Sequence, residues 1–123
     1  MTDPNFIILY VADPAISAQF YADLLVKQPL EASPTFAMFA LDAGTMLGLW
    51  STSTVTPTVM AKAGGCELAF AVDSKESVDA MYADWCHRRL VMAQDPCRMD
   101  FGYTFVALDP DGHRLRVFAP SQP

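Results

Sequence analysis

Residues 6–50 recur, in order and in chemistry, in residues 66–118, and this duplication restricts the chain to folds built from two like halves. Tyr21-Ala22-Asp23 returns 61 positions later as Tyr82-Ala83-Asp84, and Val11 returns as Val72. Ala40-Leu41-Asp42 returns as Ala107-Leu108-Asp109 at an offset of 67, while Gly44, Leu47, Leu49 and Trp50 return as Gly112, Leu115, Val117 and Phe118 at 68. The growing offset marks loop residues added to the second copy. The strongest local signal ends that copy: two β-prone runs, 101–108 and 113–118, flank Asp109-Pro110-Asp111-Gly112. Proline presets φ at the second turn position and glycine supplies the left-handed one, so the segment reads as a β-hairpin.

The remaining elements follow from periodicity and turn chemistry. In the first copy, residues 6–12 are apolar on both faces and read as a strand. Asp13-Pro14 opens a helix, with aspartate as cap and proline at its first position, and Ile16, Phe20 and Leu24 form its stripe. A short strand at 29–32 precedes strands at 35–42 and 45–50 around Ala43-Gly44. A Ser-, Thr- and Pro-rich stretch, 51–65, reads as a linker. In the second copy, residues 66–72 form a strand, and Asp73 caps a helix with Glu76 completing a capping box. Val78, Met81, Tyr82, Trp85 and Cys86 are the helix's core stripe, and a strand at 90–93 precedes the hairpin. Each copy is thus βαβββ, about 5–50 and 66–118, within one domain spanning 1–123. One copy cannot bury both faces of its sheet. The expected fold is α+β: a curved, incompletely closed, mixed eight-stranded sheet with helices outside and a concave interior.

Composition excludes several partners. A net charge of −6 argues against nucleic acid and anionic membranes, which need clustered Lys and Arg. The single basic cluster, His87-Arg88-Arg89, falls at a helix end, where cations complement the dipole. The longest apolar run, 6–12, is too short to span a bilayer, and the N-terminal residues carry no signal-peptide pattern. Three cysteines, Cys66, Cys86 and Cys97, cannot pair evenly and show no Cys-x-x-Cys spacing; they read as reduced thiols of a cytoplasmic protein.

The opening strand and helix (Leu9-Tyr10-Val11-Ala12-Asp13 and Phe20-Tyr21-Ala22-Asp23-Leu24-Leu25), the repeat and the closing Asp109-Pro110-Asp111-Gly112-His113 together resemble the vicinal oxygen chelate superfamily. That superfamily includes glyoxalase I, extradiol dioxygenases, fosfomycin-resistance enzymes and bleomycin-binding proteins. Within it, Leu47-Gly48-Leu49-Trp50-Ser51 and Phe101-Gly102-x-Thr104-Phe105 look most like the branch of phenazine-antibiotic resistance proteins, non-catalytic binders of flat aromatic drugs. The resemblance implies a homodimer formed by pairing or exchanging βαβββ units, with the pocket at the subunit interface. It also implies four metal positions on the first and last strands of each half. Here they fall on Phe6, Gly48, Glu67 and Arg116. Of these only Glu67 can ligate a cation, since arginine stays protonated and phenylalanine and glycine lack donors. A catalytic metal needs about three protein ligands, so no metal, cofactor or catalytic residue is expected.

Strand alternation assigns what the same positions offer instead. Phe6, Ile8 and Tyr10 share a face with Gly48 and Trp50, with Glu67, Ala69 and Ala71, and with Arg114, Arg116 and Phe118; the opposite parity is apolar and suits packing under helices. Glu67 and Arg116 are expected to pair. Tyr103 and Phe105 share one face of their strand, and either face of that strand could line the interior. The candidate ligand-binding residues are therefore Trp50, Glu67, Arg116, Phe6, Tyr10, Gly48, Phe118 and Tyr103. The expected function is metal-free binding of a small aromatic compound. The alternatives are a metal-dependent glyoxalase-like lyase, isomerase or dioxygenase-family enzyme, or metal-free catalysis with Glu67 as general base.

Overall fold

The computed structural model describes residues 2–121. The chain divides into two compact units, 1–62 and 63–123. The first contains β1 (Phe6–Val11), α1 (Pro14–Leu25), β2 (Glu31–Ala32), β3 (Phe36–Ala40) and β4 (Met46–Ser51). The second contains β5 (Glu67–Ala71), α2 (Lys75–His87), β6 (Val91–Met99), β7 (Gly102–Leu108) and β8 (Arg114–Pro120). The fold is α+β, as expected. Among the described residues eight strands form two open four-stranded sheets, ordered β1-β4-β3-β2 and β5-β8-β7-β6. Each is mixed: the first and last strands of a unit run parallel and the other pairs antiparallel.

The duplication holds at the level of register. Phe6 lies opposite Met46 and Ile8 opposite Gly48; 61 and 68 positions on, Glu67 lies opposite Arg114 and Ala69 opposite Arg116. The two hairpin turns share their bonds. Leu41 N–H donates to Thr45 O at 2.8 Å and Gly44 N–H to Leu41 O at 3.2 Å, matched by Asp109 to His113 O at 2.9 Å and Gly112 to Asp109 O at 3.1 Å. Gly44 and Gly112 hold the left-handed position at φ +85° and +91°. Ala40 opposite Met46 corresponds to Leu108 opposite Arg114, so the structural offset is 68 through the whole hairpin. The Ala-Leu-Asp match at 67 is therefore one residue out of register.

In the first unit α1 packs on β3 and β4. Asp13 caps it, its carboxylate accepting from Ala15 N–H at 3.0 Å. Tyr21 is fully buried with Leu9, Val11, Phe39, Leu47 and Leu49. In the second unit α2 packs on β6, β7 and β8. Its buried Trp85 meets Phe70 and Phe105 edge-on at 5.7 and 5.4 Å. Such contacts add to the burial of apolar area that holds the helix down.

Several boundaries differ from the sequence reading. The cap of α2 is Ser74, whose hydroxyl accepts from Ser77 N–H at 3.1 Å, while Asp73 accepts from the Ser77 hydroxyl. Glu76 lies one position too early for a capping box. β6 runs to Met99, well past residue 93, and includes Pro96. Proline is tolerated there because β6 is an edge strand with two register shifts. Both helices end in a left-handed residue that is not glycine, Val26 at φ 55° and Arg89 at φ 66°.

Candidate functional site

Each sheet covers one face with its helix and presents the other. In β1, Leu9 and Val11 are buried, whereas Phe6, Ile8 and Tyr10 are each about two-fifths exposed. On β8, Leu115, Val117 and Ala119 are buried while Arg114 is exposed and Arg116 and Phe118 are half-buried. The alternation read from the sequence sorts β8 and the second half of β1, because one face of each sheet is closed by a helix and the other is not; Ile7, expected on the buried parity, is exposed near the start of β1.

On the first unit's presented face, Phe6, Gly48, Tyr10 and Trp50 come together. Tyr10 and Trp50 meet edge-to-face with ring centroids 6.4 Å apart. Gly48 lies beneath two rings: a Cβ there would come within 2.8 Å of Phe6 Cε1 and 3.0 Å of Phe36 Cζ. The glycine is required for that close approach. Phe36 was missed by sequence reasoning. Extending the alternation across the hairpin would have found it, since Phe36 lies directly opposite Trp50.

On the second unit's presented face, the Arg116 guanidinium grips Glu67 with two bonds, Nε–H to Oε1 at 2.8 Å and Nη2–H to Oε2 at 3.0 Å. Its Nη1 donates to Thr104 Oγ1 at 3.1 Å and to Gln94 Oε1 at 3.4 Å. The Thr104 hydroxyl in turn donates to Val117 O at 2.8 Å. The Phe101 ring lies 5.5 Å from the Arg116 guanidinium carbon and meets Phe118 edge-on at 6.0 Å. Arg114 reaches Glu67 Oε2 only at 3.7 Å. The Arg116 hydrogen bonds hold the Glu67 carboxyl below its ordinary value, assisted by the charges of Arg116 and Arg114 and opposed by partial burial. A carboxyl so held is a poor proton acceptor, which weakens the general-base reading of Glu67. Gln94, Phe101 and Thr104 join this cluster although the sequence reading gave them no role there.

Tyr103 stands apart from the other candidates. It lies opposite Ala119, on the face shared by Phe105 and Val117, and its hydroxyl donates to Asp79 Oδ1 on α2 at 2.7 Å. The Lys75 ammonium lies 4.7 Å from its ring centroid. The strand face left open by the sequence is thus the one carrying Thr104 and Val106, and Tyr103 belongs to the helix side.

The donor set does not fit a divalent cation. Of Phe6, Gly48, Glu67 and Arg116, only Glu67 offers oxygens, and both already accept from a guanidinium. Among the described residues no three His, Cys, Asp or Glu side chains cluster as a metal site would require.

Comparison with known proteins agrees with this fold. The chain is 51% identical to protein ATC0852 from Agrobacterium tumefaciens, whose solution structure matches with a TM-score of 0.91 over 99% of this chain and 100% of that one. The phenazine antibiotic resistance protein EhpR of Enterobacter agglomerans is 26% identical over 117 residues, 93% of this chain and 89% of that protein. A glyoxalase-related enzyme from Fulvimarina pelagi shares the fold at a TM-score of 0.83 over 97% of this chain and 88% of that one, with 18% identity. The sequence profile of one family matches residues 4–117. The repeat, the two mixed sheets and that match place the chain in the Glyoxalase/Bleomycin resistance protein/Dioxygenase superfamily.

Proposed function

We propose that this chain is a metal-free binder of flat aromatic compounds, acting stoichiometrically in the manner of a resistance protein. One observation carries the reading: where the superfamily's enzymes hold a metal, Arg116 grips both oxygens of Glu67. The aromatic face of Phe6, Phe36, Tyr10 and Trp50 supplies a surface on which a planar guest can stack, each offset or edge contact adding roughly 0.5–1.5 kcal/mol beyond area burial. Likeness to EhpR supports the same class of guest. The chain acts as one domain within a homodimer, which would cover the apolar side chains that β1 leaves exposed. It works in the cytoplasm, a setting that suits its three free cysteines; among the described residues no helix is long and apolar enough to cross a membrane.

Titration with phenazine tests this. Trp50 is half-buried and Trp85 is buried, so a stacked guest quenches mainly Trp50. Saturable quenching that Trp50→Leu weakens about tenfold is expected. No quenching across a panel of planar aromatics overturns the reading. So does a stoichiometric divalent ion in the purified protein whose removal by chelation abolishes a lyase or dioxygenase activity, the outcome that membership of an enzyme-containing superfamily would favour.

A further inference from the structure

We infer that the Met99 thioether is a modification site, oxidised to the sulfoxide by hydrogen peroxide or an organic hydroperoxide, and that Gln94 transmits the change to Arg116. Residues 94 and 99 are five apart, a spacing that puts side chains on opposite faces of a regular strand. β6 is not regular. Gln94 lies opposite Val106, Cys97 opposite Thr104 and Met99 opposite Gly102, so between Gln94 and Cys97 three residues of β6 pass two of β7. This bulge turns Met99 onto the face of Gln94 and Thr104, and re-aiming a side chain is what bulges do near functional sites. Gln94 Nε2–H donates to Met99 Sδ at 3.6 Å.

The thioether stands open to solvent. Met99 is 40% exposed, and among the described residues the only methionine more exposed is Met60, in the first unit. Across from Met99, Gly102 holds φ +149°, and a Cβ there would collide with Ala119 O, so no side chain can cover the sulfur from that position. Exposure governs which methionines oxidise. In the reaction a sulfur lone pair attacks one peroxide oxygen; an S–O bond forms and the O–O bond breaks. Sulfur gives two electrons to the peroxide. The proton on the transferred oxygen passes to the departing one, which leaves as water or an alcohol.

The product changes what Gln94 is bonded to. A thioether is a weak acceptor, whereas a sulfoxide oxygen is polar. Gln94 uses both ends of its amide, Nε2 toward Met99 and Oε1 toward Arg116. The amide is planar and moves as one body, so Nε2 turning to the new oxygen draws Oε1 with it. The Arg116–Gln94 bond, at 3.4 Å the longest of the four that Arg116 makes to Glu67, Thr104 and Gln94, is the one that gives way.

Dilute hydrogen peroxide, followed by peptide mass mapping and by the Arg116 Nε–H signal in nitrogen-15 NMR, tests both steps. Met99 and Met60 should each gain about 16 Da while Met38, Met46, Met81 and Met92, all half-buried, stay largely unmodified. The Arg116 signal should shift as Met99 oxidises and return when the two methionine sulfoxide reductases restore the thioether. The shift should persist in Met60→Leu and vanish in Met99→Leu and in Gln94→Ala. Met99 oxidising no faster than the half-buried methionines overturns the site. Oxidation of Met99 that leaves the Arg116 signal in place, or a shift that survives Met99→Leu or Gln94→Ala, overturns the transmission through Gln94.

Discussion

Where Glu67, Arg116 and Thr104 meet in the second unit, the first unit has Phe6, Gly48 and Phe36 at the equivalent positions. Both trios are in contact. In one, a long cation spans to a carboxylate and a hydroxyl; in the other, the central position has no side chain and two rings close over it. The same backbone register thus carries two solutions to filling one space, and each works only as a set. An arginine in place of Gly48 would face rings with no acceptor, and a glycine in place of Arg116 would leave the Glu67 carboxylate short of its partner. The comparison explains why the two units differ at these three positions together.

The largest expected effect lies in the cores beneath these faces. Trp85→Ala should cost about 3–5 kcal/mol, because it empties a site walled by Phe70 and Phe105. Leu24→Ala, at the repeat mate 61 positions earlier, is only half-buried and should cost about 2 kcal/mol. Urea denaturation of the two variants measures both; equal costs would mean the cores are anchored alike.

Next in size is the ion pair. Arg116→Met should cost about 1–2 kcal/mol, since it removes two charged hydrogen bonds from a half-exposed carboxylate. Glu67→Phe combined with Arg116→Gly, which imports the first unit's solution, should cost less than the sum of the single changes by about 1 kcal/mol. Strict additivity in the double-mutant cycle would sink the claim that the trio works as a set.

A smaller gain should come from the helix ends. Val26 is a β-branched residue held at φ 55°, where an L side chain is strained by roughly 1–2 kcal/mol. Val26→Gly relieves this at some cost in chain entropy, so a net stabilisation of about 1 kcal/mol is expected in thermal melts. Arg89→Gly should gain less, because arginine is not β-branched.

The smallest effect is in pH. The Glu67 carboxyl is lower in the folded protein than its ordinary value of 4.5. Its contribution to stability is therefore full above about that value and is lost as pH falls through the lowered one. Stability measured against pH should fall less steeply on the acid side for Glu67→Gln than for the native chain. An unchanged acid limb would show that solvent screens the pair completely.

Much of this was readable in the residues. The duplication, the turn chemistry at Gly44 and Gly112 and the two-residue alternation identify the paired elements and their faces, because each follows from local stereochemistry. The Glu67–Arg116 contact was also readable, since opposite charges at repeat-matched positions on one face have few other partners. What escaped depends on neighbours distant in sequence. Pro96 reads as a strand breaker until β6 proves to be an edge. Phe36 and Thr104 gain their roles only when the antiparallel register sets them opposite Trp50 and Phe118. The side of Tyr103 was fixed by its bond to Asp79 on α2, a partner 24 positions away in sequence.

The order β1-β4-β3-β2 bears on how the chain is born as well as on how it looks. Every backbone ladder of the first sheet closes between Phe6 and Ser51, the widest joining residues 40 positions apart, Phe6 and Met46. A nascent chain that has released Ser51 from the ribosome already holds all the strand partners its first sheet will use. Its strands can begin to pair during synthesis, before Trp85 or Arg116 has been made, although burial of both sheet faces must wait.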